Sequence, residues 1–272
     1  MKHYLRALSF LTIIPLPFIS FDQNGRELTD AAVAFPLAGA TLGLIQASLA
    51  WLLLTILPAG PVTIICLLAG FLLTRGLHID GLADTADGLI GTTNREKAIR
   101  AMTDSAVGVM GASILLLVYL FKYSLLTDSG DLLPLALFFM PLVGRWVIVF
   151  TGSLYNPARE EGLGDLFLRQ LGLRHFIIAS LGMMPIMVLI FWLLPPLTRP
   201  VLTASGVALI SSWLLAGYAN RRLGGLTGDI LGAASELGEA VFLLCFYLFL
   251  KHSNLNISLI KAVSQIVSNL LG

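Results

Sequence analysis

Long apolar runs separated by short polar stretches set the pattern of this chain. A helix needs about 20 mostly apolar residues to cross the hydrocarbon of a bilayer. Seven stretches meet that need: 31–57, 61–79, 108–126, 131–152, 175–195, 200–218 and 236–250. The last is short and carries Glu236 and Glu239 at its start. From Ile257 to Leu271, Ile, Leu and Val recur at helical spacing around Lys261, Gln265 and Asn269. That is the pattern of an amphipathic helix in the membrane interface. At the other end, Lys2 and Arg6 precede an apolar run from Ala7 to Phe18. The run resembles a secretory leader, but no small-x-small cleavage site follows and Pro15 and Pro17 interrupt it. A short surface helix is the better reading. The predicted fold class is all-α: a polytopic helical integral membrane protein with about seven transmembrane helices plus surface helices. Residues 1–272 form a single membrane-embedded domain, with no repeat or low-complexity linker.

Composition supports the bilayer as solvent. The chain is 57% hydrophobic and 12% charged, with a mean hydropathy of +0.87, whereas a soluble domain carries about 25% charged residues. So few charges cannot cover a soluble surface of this size. A net charge of +1 without a basic cluster argues against nucleic acid as a partner. Cys66 and Cys245 sit in apolar runs without a His or Cys at metal-ligand spacing, so they read as small buried hydrophobes.

Charge also predicts orientation, because Lys and Arg collect on the cytoplasmic side of a membrane protein. With the N-terminus inside, only Lys122, Arg199, Lys251 and Lys261 of the 17 basic residues fall on the outer side. Of the 16 acidic residues, only Asp128 and Asp131 do so. Acidic residues contribute little to topology, so their asymmetry calls for a functional cause. The outer turns, such as Pro58-Ala59-Gly60-Pro61, carry no chemistry. The chemistry is therefore expected at the cytoplasmic face.

Two constellations stand out there. In the first, Asp80, Asp84 and Asp87 recur at i, i+4 and i+7, which places them on one helical face. Like charges at that spacing repel, more strongly where the dielectric falls near a membrane. A divalent cation relieves the repulsion, and oxygen-only ligands suit Mg²⁺ or Mn²⁺ shared with substrate phosphates. A solvated acidic helix is the bland alternative, yet no Lys or Arg falls between Asp80 and Asp87, and solvated helices usually mix signs. Downstream, Asp104 or Ser105 could cap the next span, where Gly108 and Gly111 permit close packing. His78, alone at a membrane edge, reads as structural.

The second constellation runs Arg221-Arg222-Leu223-Gly224-Gly225-Leu226-Thr227-Gly228-Asp229, with Glu236 and Glu239 beyond it. Arginine forks match phosphate geometry, and closely spaced glycines let backbone amides approach phosphate oxygens. Positive-inside anchoring and a tight turn explain these residues singly. Neither explains three acids leading into a span, where charges are costly and usually functional. The loop from Tyr155 to Asp165, containing Arg159, reads as an ordinary surface loop.

With these residues in place, the chain resembles the cobalamin synthase family, or adenosylcobinamide-GDP ribazoletransferases. The resemblance rests on His78-x-Asp80-Gly81-x-x-Asp84-x-x-Asp87-Gly88, on Asp104-Ser105-x-x-Gly108-x-x-Gly111, and on Arg221-Arg222-x-Gly224-Gly225-x-Thr227-Gly228-Asp229-x-x-Gly232-Ala233. Phe10-Leu11-Thr12-x-x-Pro15-x-Pro17 and Phe35-Pro36-x-x-Gly39 fit as well, so it spans nearly the whole chain. It implies a Mg²⁺-dependent transferase of a bacterial inner membrane that joins adenosylcobinamide-GDP to α-ribazole or its 5′-phosphate and releases GMP. The expected metal ligands are Asp80, Asp84, Asp87 and Asp104. Asp84, Asp104 and Arg222 are the expected catalytic residues, Asp104 as acceptor of the ribazole hydroxyl proton. Arg221, Gly224, Gly225, Thr227, Gly228 and Asp229 are expected at the nucleotide phosphates. Oligomerisation is left open.

Two other readings compete for the same residues. A CDP-alcohol phosphotransferase also sets aspartates and Mg²⁺ on membrane helices, but Asp84 stands where that family places Arg, and no later Asp-x-x-x-Asp follows at the expected distance. A transporter would hold its site near the bilayer midplane, whereas the span interiors here are expected to lack acids.

Overall fold

The computed structural model describes residues 1–16, 19, 22, 25–159 and 162–252; the helix expected over 257–271 lies outside them. In chain order the helices are α1 (Lys2–Leu11), α2 (Arg26–Ala31), α3 (Phe35–Leu53), α4 (Ala59–Thr74), α5 (Leu77–Leu89) and α6 (Arg95–Ala101). They continue with α7 (Val109–Thr127), α8 (Leu133–Gly152), α9 (Leu163–Gln170), α10 (Leu173–Leu193), α11 (Thr198–Leu223) and α12 (Gly228–His252). Among the described residues, six stretches are long and apolar enough to cross a membrane: Arg26–Leu53, Val109–Thr127, Gly130–Gly152, Leu173–Leu193, Pro195–Leu223 and Gly228–Lys251. The polytopic all-α expectation holds.

The span expected over 61–79 is broken. It ends at Thr74, and α5 leaves it at 90°. Arg75 and Gly76 both take left-handed backbone, at φ 54° and 67°, and the Gly76 amide reaches back to the Phe71 carbonyl at 3.0 Å. This is a Schellman-type stop. A Cβ on Gly76 would sit 2.8 Å from the Phe71 ring. The carboxylate-bearing segment therefore does not continue a span but lies across the ends of its neighbours.

What holds α5 there is a close crossing with α12. A Cβ on Gly81 would meet the Asp229 carbonyl oxygen at 2.7 Å, and one on Gly232 would meet His78 Cα at 3.2 Å. Below the crossing, α12 packs on α8 around Phe139, Phe242 and Phe246. A second apolar cluster lies at the α5 end, where Leu11 of α1, Leu28 of α2 and Phe167 of α9 close over Phe35 and Ile230. α1 is the expected surface helix: Ala7, Leu8 and Leu11 are buried, and Arg6 pairs with Glu27.

Two expectations about charge are overturned. The last span begins at Gly228 rather than near 236, so Glu236 and Glu239 lie inside it, about 12–17 Å along a helix rising 1.5 Å per residue. Lys122, expected on the outer side, is buried beside them, with Nζ 2.6 Å from Glu236 and 2.7 Å from Glu239. Arg145 of α8 pairs with Glu239 and donates to His78 Nδ1 at 3.1 Å. The span interiors thus do contain acids. Two cations meet two carboxylates there, which is how charges are tolerated away from water. His78 is structural, as its lone position suggested.

Removing one member of such a network strands the others. Lys122→Met is expected to cost about 3–5 kcal/mol of stability, and a second change, Glu236→Gln, to recover part of the loss. Denaturant unfolding of the detergent-purified protein measures both.

Candidate active site

α5 shows opposite characters on its two sides. Gly81, Leu82, Ala86 and Leu89 are buried, while Asp80 is exposed and Asp84 and Asp87 are half-buried. The three aspartates share the predicted face, but they do different work. Asp87 accepts from the Gly108 amide at 2.7 Å and the Gly111 amide at 2.8 Å. It therefore caps α7 from a different helix, satisfying amides left open by the helix start. Gly108 and Gly111 are needed because a side chain at either would run into that carboxylate.

The α7 cap expected from Asp104 or Ser105 is thus supplied by Asp87. Asp104 is exposed, and its Oδ1 accepts from the Ala106 amide at 3.0 Å in a local turn. The charges that act on Asp84 come from Asp80, Asp229, Asp87 and Arg159, and Asp104 is not among them. Among the described residues, no three His, Cys, Asp or Glu side chains form a ready metal site, so the expected set of four aspartates is not assembled. Mg²⁺ is usually held by one or two carboxylates together with substrate phosphates. Asp80 and Asp84, one turn apart and mutually repelling, fit that all-oxygen role.

The second constellation arrives at the same place by a different route. The crossing at Gly81 sets Asp229 beside α5. Thr227 caps the start of α12, accepting from the Ile230 amide at 3.4 Å, and its hydroxyl donates to Asp229 Oδ2 at 3.2 Å. The glycines shape the approach. Gly224 ends α11 in left-handed backbone at φ 76°, and Gly225 lets the chain lie against Pro157 and Ala158. Leu226 exchanges backbone hydrogen bonds with Asn156 and Ala158, at 2.9 and 2.7 Å.

That short pairing carries Arg159 to the site. Its guanidinium donates to Asp229 Oδ2 at 3.1 Å and stands 4.0 Å from Asp165 of α9. Among the described residues, Arg159 Nε and Asp165 Oδ1 are both buried without a hydrogen-bond partner, an arrangement that leaves donor and acceptor capacity for a ligand. Arg95 supports the loop, donating to the Leu223 carbonyl at 2.8 Å and the Ala158 carbonyl at 3.1 Å. The arginines expected at the phosphates are placed differently. Arg222 donates to the Thr92 carbonyl at 2.6 Å and the Tyr218 hydroxyl at 2.7 Å, tying α11 to the loop after α5. Arg221 is exposed.

A family profile described as Cobalamin-5-phosphate synthase matches residues 3–247. The chain belongs to the cobalamin-5-phosphate synthase family. Among its curated relatives, the adenosylcobinamide-GDP ribazoletransferase of Geotalea daltonii is 36% identical over 248 residues, covering 90% of this chain and 96% of the relative. The enzyme of the same name from Caldanaerobacter subterraneus subsp. tengcongensis is 35% identical, covering 90% and 98%. That from Prosthecochloris aestuarii is 36% identical, covering 89% and 97%. No solved structure matches the chain.

In this cobalamin-5-phosphate synthase family member, Asp84 carries the clearest electrostatic mark of the site. Burial pushes its carboxyl up to about 7, with repulsion from Asp80, Asp229 and Asp87 adding to the rise and Arg159 opposing it. Burial also raises Asp165. For a carboxyl raised in the fold, the unfolded chain releases the proton first as pH increases. Ionising Asp84 therefore destabilises the fold between roughly pH 4 and 7. In chelator-containing buffer, thermal stability is expected to fall across that window in the wild type and to fall less in Asp84→Asn. Equal slopes in thermal unfolding would contradict this origin.

Proposed function

We propose that this chain joins adenosylcobinamide-GDP to α-ribazole, or to its 5′-phosphate, giving adenosylcobalamin or its 5′-phosphate and GMP. The site faces the cytoplasm in a bacterial inner membrane, in line with the one-sided distribution of Lys and Arg. The observation that carries the reading is the junction of Asp80 and Asp84 with Asp229 and Arg159, in a chain whose relatives bear that activity in their names.

In the step, a ribazole hydroxyl oxygen bonds to the phosphorus nearer the cobinamide. The bridging bond of the pyrophosphate breaks, and GMP leaves with the bridging oxygen. Such transfers depend on positioning and on charge neutralisation. Asp80 and Asp84 would hold Mg²⁺, which when bound neutralises pyrophosphate oxygens. Arg159 replaces Arg222 as the residue that steadies a phosphate, because its guanidinium faces the carboxylates while Arg222 is engaged elsewhere. Asp229 replaces Asp104 as the group that accepts the hydroxyl proton, since it lies between Arg159 and the α5 carboxylates. Asp87 acts by holding α7 in place.

GMP release by purified protein supplied with both substrates, with and without Mg²⁺, tests the reaction. Metal-dependent GMP matched by a cobalamin product is expected, and none from folded protein would end the reading. Asp84→Asn and Arg159→Ala are each expected to lower kcat by about a hundredfold or more. Arg222→Ala is expected to act through stability, with a smaller effect on turnover.

A further inference from the structure

Two cavities meet at Asp80. One, of about 660 Å³, opens between α1, α4, α5 and α7 and is lined by residues including Arg75, Ile79 and Val107. The other, of about 260 Å³, lies under α1, α2 and α9 against the α5–α12 crossing. Phe10, Leu77 and Asp80 line both and form the partition between them.

The smaller cavity has a distinct chemistry. Among the described residues, its polar side chains are Asp80, His78 and Asp229, all from the α5–α12 crossing. The other described residues of its wall are hydrocarbon and glycine. Phe10, Phe35 and Phe167 line it as a nearly parallel series, with centroids 6.0 and 5.8 Å apart and planes 11° and 10° from parallel. A flat apolar ring is the natural guest for such a wall. Its volume lies just below the roughly 300 Å³ at which drug-sized ligand pockets begin, so it admits a nucleoside base and excludes a corrin macrocycle. Guanine fits less well, because its amide and amino edge needs hydrogen-bond partners, and the carboxylates here, Asp80 and Asp229, are the ones the proposed reaction engages with Mg²⁺ and the hydroxyl proton.

We infer that this cavity binds the benzimidazole base of the α-ribazole acceptor, presenting its ribose to Asp229 and Asp80, while the bulkier cobinamide-GDP donor approaches from the larger cavity across Asp80. The inference rests on the proposed reaction and assigns its two substrates to opposite sides of one carboxylate.

Steady-state kinetics with the full chain in detergent test it. Phe167→Ala is expected to raise KM for α-ribazole about tenfold, the equivalent of about 1.4 kcal/mol, with KM for adenosylcobinamide-GDP unchanged. Leu28→Trp, which fills the cavity, is expected to reject α-ribazole but to accept an analogue with a single-ring base. Free 5,6-dimethylbenzimidazole should compete with α-ribazole and not with the donor, and less effectively in Phe167→Ala. A rise in donor KM instead, or no change in either, would overturn the assignment. Should the wild type release no GMP, the reaction fails, and equilibrium binding of free dimethylbenzimidazole to wild type and Phe167→Ala then decides the cavity alone. Should either variant fail to fold, Phe35→Leu, which lines the smaller cavity and not the larger, gives the same comparison.

Discussion

The candidate site depends on two helices touching backbone to backbone. α5 can lie across the bundle only because Gly81 and Gly232 leave no side chains between it and α12. That contact sets Asp229 among the α5 carboxylates, and it leaves the Asp80–Asp84 edge free for a ligand. The break at Arg75–Gly76 makes the crossing possible by ending α4 before it could carry the aspartates into the bilayer. Placed one after another along a span, those charges would have faced lipid, at several kcal/mol each.

A site built this way keeps structural and chemical work separate while using one residue type. Asp87 is consumed by backbone amides, and Asp80 is left open. Arg222 fastens a loop, while Arg159 carries its charge into the cluster. The two roles are told apart by what each side chain can reach from its helix, not by its identity.

That distinction explains which parts were legible in the sequence. Six of the seven expected spans and the shared face of Asp80, Asp84 and Asp87 follow from local periodicity, so they could be read directly. The broken span could not, since Arg75 and Gly76 lie within an apolar run and only their backbone angles reveal the turn. Asp104 reads as a cap because a favoured cap residue stands just before a span, whereas the cap comes from Asp87, 21 residues before Gly108. The ion pairs of Arg159 are not legible locally, because its partners, Asp165 and Asp229, are joined to it by tertiary pairing at Pro157 and Leu226. A weak signal did exist: in a chain with few charges, Arg159 opens a loop unusually rich in them. Lys122 and Glu236 are 114 residues apart, and no local pattern links them.

The Lys122 network also bears on how the protein is made. Lys122 lies inside α7, five residues before its end at Thr127, where a charge without a partner opposes insertion. Its two carboxylate partners lie on α12, the last helix described, so α7 emerges long before its counter-charges exist. Until α12 arrives, α7 must rest with its lysine turned to water or to a temporary partner. Final seating of the bundle therefore waits for α12, and a chain cut short of it would carry an uncompensated charge.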